Sequence, residues 1–93
     1  IGMQTLGEDH PSVGIGLNNL AGLYVRLQRY AEAELMYLQA MAIFYQRLGE
    51  THHYTQGTWE NFIGFLQQVI QRDRTSELSD HPMTRSLLQQ LQN

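Results

Sequence analysis

The stretch Ile43-Phe44-Tyr45-Gln46-Arg47-Leu48-Gly49-Glu50-Thr51-His52 restates the opening of the chain, Ile1-Gly2-Met3-Gln4-Thr5-Leu6-Gly7-Glu8-Asp9-His10, at an offset of 42 residues. Ile1, Gln4, Leu6, Gly7, Glu8 and His10 return as Ile43, Gln46, Leu48, Gly49, Glu50 and His52. Asn19 and Gly22 return in the same register as Asn61 and Gly64. Apolar character is kept at Leu17/Trp59, Leu20/Phe62, Leu23/Phe65 and Leu27/Val69. A fixed period in the range of about 20–50 residues marks a stacked repeat, in which each unit buries its apolar face on its neighbour. Such an architecture points to a binding surface more than to a catalytic pocket.

Working outward from that stretch, Glu8-Asp9-His10-Pro11 reads as a helix start. Proline is tolerated in the first turn, where its missing N–H would have no partner anyway, and the two acids favour the positive end of the helix dipole. Val13, Leu17, Leu20, Leu23, Tyr24 and Leu27 then follow helical spacing as a buried stripe, predicting a helix over about 11–27 with a tight turn at Gln28-Arg29. Gly14, Gly16 and Gly22 weaken it by about 1 kcal/mol each relative to alanine, so tertiary packing must compensate. A second helix is expected over 30–48, with Ala33, Met36, Tyr37, Ala40, Met41, Phe44 and Leu48 on its apolar side. Glu32 and Glu34 stand at its start and Arg47 near its end, in the order the dipole favours; Gly49 terminates it. The short link makes the two helices an antiparallel hairpin.

A third helix over 53–71 carries Tyr54, Trp59, Phe62, Ile63, Leu66, Val69 and Ile70. There the 42-residue register fails: Thr75 stands where Ala33 was and Pro82 where Ala40 was, and the polar run from Arg72 to Asp80 reads as a loop. Asp80-His81-Pro82 restores the start signal, and Leu88 and Leu91 place a last helix over 82–92, folded back as a cap. The fold class is therefore all-α, antiparallel hairpins stacked as a short solenoid. The organisation expected is one domain over 1–93. It comprises the tail of a preceding helix with its linker (1–8), a full repeat (9–50), the first helix of a second repeat (51–71), and a divergent loop with a short capping helix (72–93).

Leu17-Asn18-Asn19-Leu20-Ala21-Gly22-Leu23-Tyr24, then Tyr30-Ala31-Glu32-Ala33-Glu34, then Tyr37-Leu38-Gln39-Ala40-Met41-Ala42-Ile43 resemble a tetratricopeptide repeat. Ala21 and Ala33 stand where that family crosses the two helices of a repeat with small residues, Ala40 where the next repeat packs, and Tyr24 and Tyr37 at large core positions. The Leu-Gly-Glu-Asp-His-Pro linker and the long period resemble the kinesin-light-chain type. The sequence departs from the family at Gln28, where glycine is common, and at Ile63, which stands where Ala21 was. The resemblance implies a module that binds a protein or peptide in a groove lined by the first helices of successive repeats. Carried over position by position, the groove residues are Asn18, Asn19, Gly22, Val25 and Arg26, then Glu60, Asn61, Gly64, Gln67 and Gln68. An asparagine amide donates and accepts, so it can pair with a peptide backbone in either sense. Gly22 and Gly64 either admit a ligand backbone or simply allow close helix packing, and the asparagines either meet a ligand or bond neighbouring helices. Only Arg26 is basic in this set, which argues against a clamp for C-terminal carboxylates.

Composition narrows the partners. The net charge is −3, and the six basic residues, all arginines, are scattered, so no basic stripe for nucleic acid is present. No apolar run approaches the roughly 18–20 residues that span a bilayer. No cysteine is present, so no disulfide framework is expected. With no signal-like start, a cytoplasmic setting is expected. His10, His52 and His81 share one register position before a helix start, and His53 adjoins one of them, but each serves its own linker and zinc spacing is missing. No metal or other cofactor is expected, and no catalytic constellation is present: Asp9-His10-Ser12 is a capping sequence and no Gly-x-Ser-x-Gly occurs. Self-association through helix faces left uncovered, as a homodimer, is the second expectation.

Overall fold

The computed structural model describes residues 10–93. The expectations resting on Ile1 to Leu6 as a helix tail, and on Glu8 and Asp9 at a helix dipole, lie outside the described residues. The element order is α1 (Pro11–Arg26), α2 (Tyr30–Leu48), α3 (His53–Gln71), a 3-10 turn (Thr75–Glu77) and α4 (Pro82–Gln92). Each helix packs mainly on its sequence neighbour, most extensively α1 on α2, then α2 on α3.

Three of the four helices begin with the same device. His10, His52 and His81 are the N-cap residues of α1, α3 and α4. In each, the ring Nδ1 accepts the backbone N–H two residues on, from Ser12, Tyr54 and Met83, at 3.1 Å. An imidazole nitrogen carrying no hydrogen thus fills the acceptor role usually played by Ser, Thr, Asp or Asn. The recurring histidines are capping residues, which is why they share a register. Helix α2 ends at Gly49, whose φ of 87° only glycine adopts freely.

The core joins Ala21 of α1, Tyr30, Ala33, Tyr37 and Met41 of α2, Phe62, Phe65, Leu66 and Val69 of α3, and Leu87 and Leu88 of α4. Tyr37 tilts against Phe62 and Phe65 at ring distances of 5.9 and 5.4 Å, and Tyr30 against Phe65 at 6.1 Å. Burial pushes the Tyr37 hydroxyl above its ordinary pKa.

The observed helices fall where the caps and periodicity put them, but three details differ. First, Leu20, Leu23 and Leu27 are exposed, not buried. Among the described residues α1 packs chiefly on α2, through Gly14 and Ala21, so the flank bearing those leucines meets no neighbour. Likewise Tyr54 and Trp59 are exposed on α3, while Thr55, Thr58 and Phe65 are buried instead. The inward stripe of α3 runs through 55, 58, 62, 65, 66 and 69.

Second, Glu34 does not serve the helix dipole; only Glu32 lies in the first turn. Glu34 is 2% exposed. Its carboxylate accepts the Ser79 N–H at 2.8 Å, the Ser79 hydroxyl at 2.6 Å and the Thr84 hydroxyl at 2.6 Å. One buried side chain of α2 thereby holds the loop before α4 and the first turn of α4 itself.

Third, where the 42-residue register fails, the turns that end α1 and α3 still correspond, in a shifted register. Among the described residues Gln28 and Asp73 are the two non-glycine residues with positive φ, at 61° and 57°. Each closes its helix in the same way. Arg29 N–H bonds Tyr24 O and Gln28 N–H bonds Val25 O; Arg74 N–H bonds Val69 O and Asp73 N–H bonds Ile70 O. Arg29 pairs with Glu32, and Arg74 with Glu77, each three residues apart. These matches run at an offset of 45, because α3 has 19 residues where α1 has 16. In that register Thr75–Glu77 occupies the first turn of a second repeat's second helix, but the helix ends after one 3-10 turn. One cause is visible: the Ser79 N–H, which an α-helix would give to Thr75 O, is committed to Glu34.

Candidate interaction surfaces

Arg74 bolts the two matching turns together. Its guanidinium lies over the Tyr30 ring at 4.6 Å, donates to Gln28 Oε1 at 3.1 Å and Gln28 O at 3.2 Å, and grips both oxygens of Glu77. The pairing holds Glu77 below the usual carboxylate range, first through the side-chain hydrogen bond from Arg74, and raises Arg74 in turn. Arg29 does the same to Glu32 from the equivalent position. These contacts fix α1 and α3 relative to one another at the ends of the two turns.

On the surface presented by α1 and α3, the expected groove residues fall into three groups. Asn19, Arg26, Asn61, Gly64 and Gln67 are exposed; Asn18, Gly22 and Gln68 are half-buried. Val25 packs against the core as a partly buried wall. Glu60 stands apart from the rest in that it also lines a separate groove between α2, α3 and α4.

Two of the paired readings separate here. Neither Asn19 nor Asn61 makes a side-chain hydrogen bond among the described residues, so the amides are not used between helices. A Cβ built on Gly22 or Gly64 would meet nothing within 4 Å, so close helix packing does not require these glycines. Close approach belongs to Gly14, which the sequence did not single out for it: a Cβ there would lie 2.8 Å from Phe44 Cε1. The surface also holds an unmet polar atom. Asn18 Oδ1 is buried without a hydrogen-bond partner among the described residues.

The hairpin Pro11–Leu48 has Ala21, Ala33 and Ala40 fully buried, with Tyr30 and Tyr37 beside them. The tetratricopeptide repeat family model matches residues 1–46. The chain contains a tetratricopeptide repeat. Repeats of this family form a protein-interaction fold, and the all-α hairpin architecture of the structure is that of a short tetratricopeptide-like solenoid. Comparison with curated proteins and with solved structures finds no match.

Among the described residues no three His, Cys, Asp or Glu side chains gather as a metal site, and no helix is long and apolar enough to cross a membrane. His52 and His53 stack on each other at 4.6 Å, with His52 already used as a cap.

Proposed function

We propose that this tetratricopeptide repeat presents the common surface of α1 and α3 to a peptide or protein partner. Asn18, Asn19, Gly22, Val25 and Arg26 form the first half of the contact, and Glu60, Asn61, Gly64, Gln67 and Gln68 the second. The observation that carries this reading is the pair Asn19 and Asn61. They share one register position, are exposed, and spend their amides on nothing among the described residues. Each lies three residues before a glycine over which there is open space, so a ligand backbone can approach the helix there. Register comes from the amides, and affinity from apolar contact at Val25. The negative charge balance disfavours nucleic acid as the partner. A cytoplasmic setting fits a chain without cysteine.

The test is a peptide-array screen of the intact protein, repeated with Asn19→Ala and Asn61→Ala combined. Peptides that bind the wild type and lose about tenfold or more in the double variant support this surface. Undiminished binding removes it. A second reading, self-association as a homodimer or as a scaffold element of a longer array, is favoured by one observation: Leu20, Leu23 and Leu27 form an exposed apolar flank on α1. Light scattering over a wide concentration range that returns only the monomer would eliminate the homodimer.

A further inference from the structure

The groove on the other side of α3 has a different character from the surface just described. It encloses about 980 Å³ between α2, α3 and the start of α4. Helix α2 contributes Leu38, Met41, Ala42 and Tyr45, one stripe at helical spacing. Helix α3 contributes Thr55, Gln56, Trp59 and Glu60, a second such stripe, and Met83 closes one end. Two helical ridges with an apolar trough between them are the setting into which a third helix packs. The second helix of the second repeat would run beside α3 as α2 runs beside α1, but it ends at Glu77 after one turn. Trp59 and Tyr45 remain 39% and 60% exposed as a result. Large aromatic side chains are the residues that dominate binding energy where they become covered. Thr55, on the same wall, has a buried hydroxyl with no partner among the described residues.

Charge decides what kind of helix fits. The acidic and basic side chains that line the groove are Glu50 and Glu60, and no lysine or arginine is among them. Glu60 has no ion pair among the described residues, and Glu50 meets only the Tyr45 hydroxyl, at 3.4 Å. His81 is at the rim with its Nδ1 committed to capping α4. We propose that this groove is a second docking site, taking an amphipathic helix of another protein whose apolar face is flanked by lysine or arginine. Its apolar side chains cover Trp59, Tyr45 and Met41, and its basic flank meets Glu50 and Glu60.

Trp59 is the sole tryptophan of the chain, so its emission reports on the groove directly. The experiment titrates the intact chain with a stapled helical peptide of leucines at i, i+3, i+4 and i+7 flanked by lysines, and with the same peptide flanked by glutamates. The expected result is a blue shift of Trp59 emission, with the lysine peptide bound about tenfold more tightly than the glutamate peptide. Ala42→Arg, at an exposed position on the groove floor, should weaken binding at least tenfold while leaving the circular dichroism unchanged. Glu50→Gln combined with Glu60→Gln should abolish the preference between the two peptides. Asn19→Ala with Asn61→Ala, on the opposite surface, should change neither. The proposal is overturned by equal binding of both peptides, by no shift at millimolar peptide, or by undiminished binding in Ala42→Arg. It is also overturned if the chain self-associates and Ala42→Arg abolishes that association, since the occupant is then a second copy.

Discussion

Replacing Glu34 by alanine should release α4 from the rest of the molecule. The carboxylate accepts three hydrogen bonds, from the Ser79 N–H, the Ser79 hydroxyl and the Thr84 hydroxyl. Ser79 is exposed and regains water when the partner goes, so each of its two bonds is worth about 0.5–1.5 kcal/mol. Thr84 is 0% exposed and cannot regain water; an unsatisfied buried hydroxyl costs about 1–3 kcal/mol. Relief of the buried carboxylate's own desolvation offsets part of this. A net loss of about 2–4 kcal/mol follows, large against the roughly 5–14 kcal/mol that about 0.05–0.15 kcal/mol per residue gives a chain of this length. Urea denaturation followed by far-ultraviolet circular dichroism measures it. Trypsin adds a local readout: it cuts this lysine-free chain only after arginine, and Arg72 and Arg74 precede the released segment while Arg85 lies within it. Thr84→Val removes one donor of the three, so in its presence Glu34→Ala should cost about 1–2 kcal/mol less than it does alone. If Glu34→Ala costs under about 0.5 kcal/mol, or the two substitutions simply add, the carboxylate is not what holds α4.

Three further outcomes follow from the geometry. Gly14→Ala should destabilise by about 1–2 kcal/mol, the crowding of Phe44 exceeding the roughly 1 kcal/mol of helix propensity gained, whereas Gly22→Ala, in open space, should stabilise by up to about 1 kcal/mol; thermal melts of the pair decide it. Asp73→Gly should raise stability by about 0.5–1 kcal/mol, because a φ of 57° strains any residue with a Cβ, and an unchanged or lower urea midpoint would refute that strain. The carboxyls of Glu32 and Glu77 are held below their ordinary value of 4.5 in the folded chain, so their contribution is present above that pH and is lost as acid passes through the lowered values. Urea midpoints should therefore fall on acidification below about pH 4.5, and Arg29→Ala with Arg74→Ala should flatten that part of the profile.

The helices were legible in the sequence because their ends carry chemistry that acts locally. Histidine before proline, glycine after Leu48 and the polar run after Gln71 each specify a boundary without help from distant residues. What was not legible depends on neighbours in space. Glu34 sits two residues from Glu32 and looks like a second dipole charge, yet its partners are 45 and 50 residues away. Leu20, Leu23 and Leu27 follow the periodicity of a core stripe, but periodicity states only that a face is apolar and not which neighbour covers it. Nor could spacing separate Gly14 from Gly22, since the difference is the Phe44 ring. The 45-residue register of the turns was hidden because the residues that repeat there, Arg29 with Glu32 and Arg74 with Glu77, are ordinary surface residues in isolation. Of the proposed interaction surface, the positions of the two asparagines were readable from the repeat, whereas the open space beside them at Gly22 and Gly64 needed the structure. The groove holding Trp59 has no sequence signal of its own, because it exists only where a helix ends early.

The three residues by which α3 exceeds α1 have a consequence for superhelical geometry. A stacked array is a screw whose pitch and hand are set by one increment applied at every unit. Three residues add about 4.5 Å of rise and slightly less than one full rotation. The turns that close α1 and α3 nonetheless meet, Arg74 reaching Gln28 across them. The stacking step from the first unit to the second is therefore set by this contact between the turns and not by equal helix lengths.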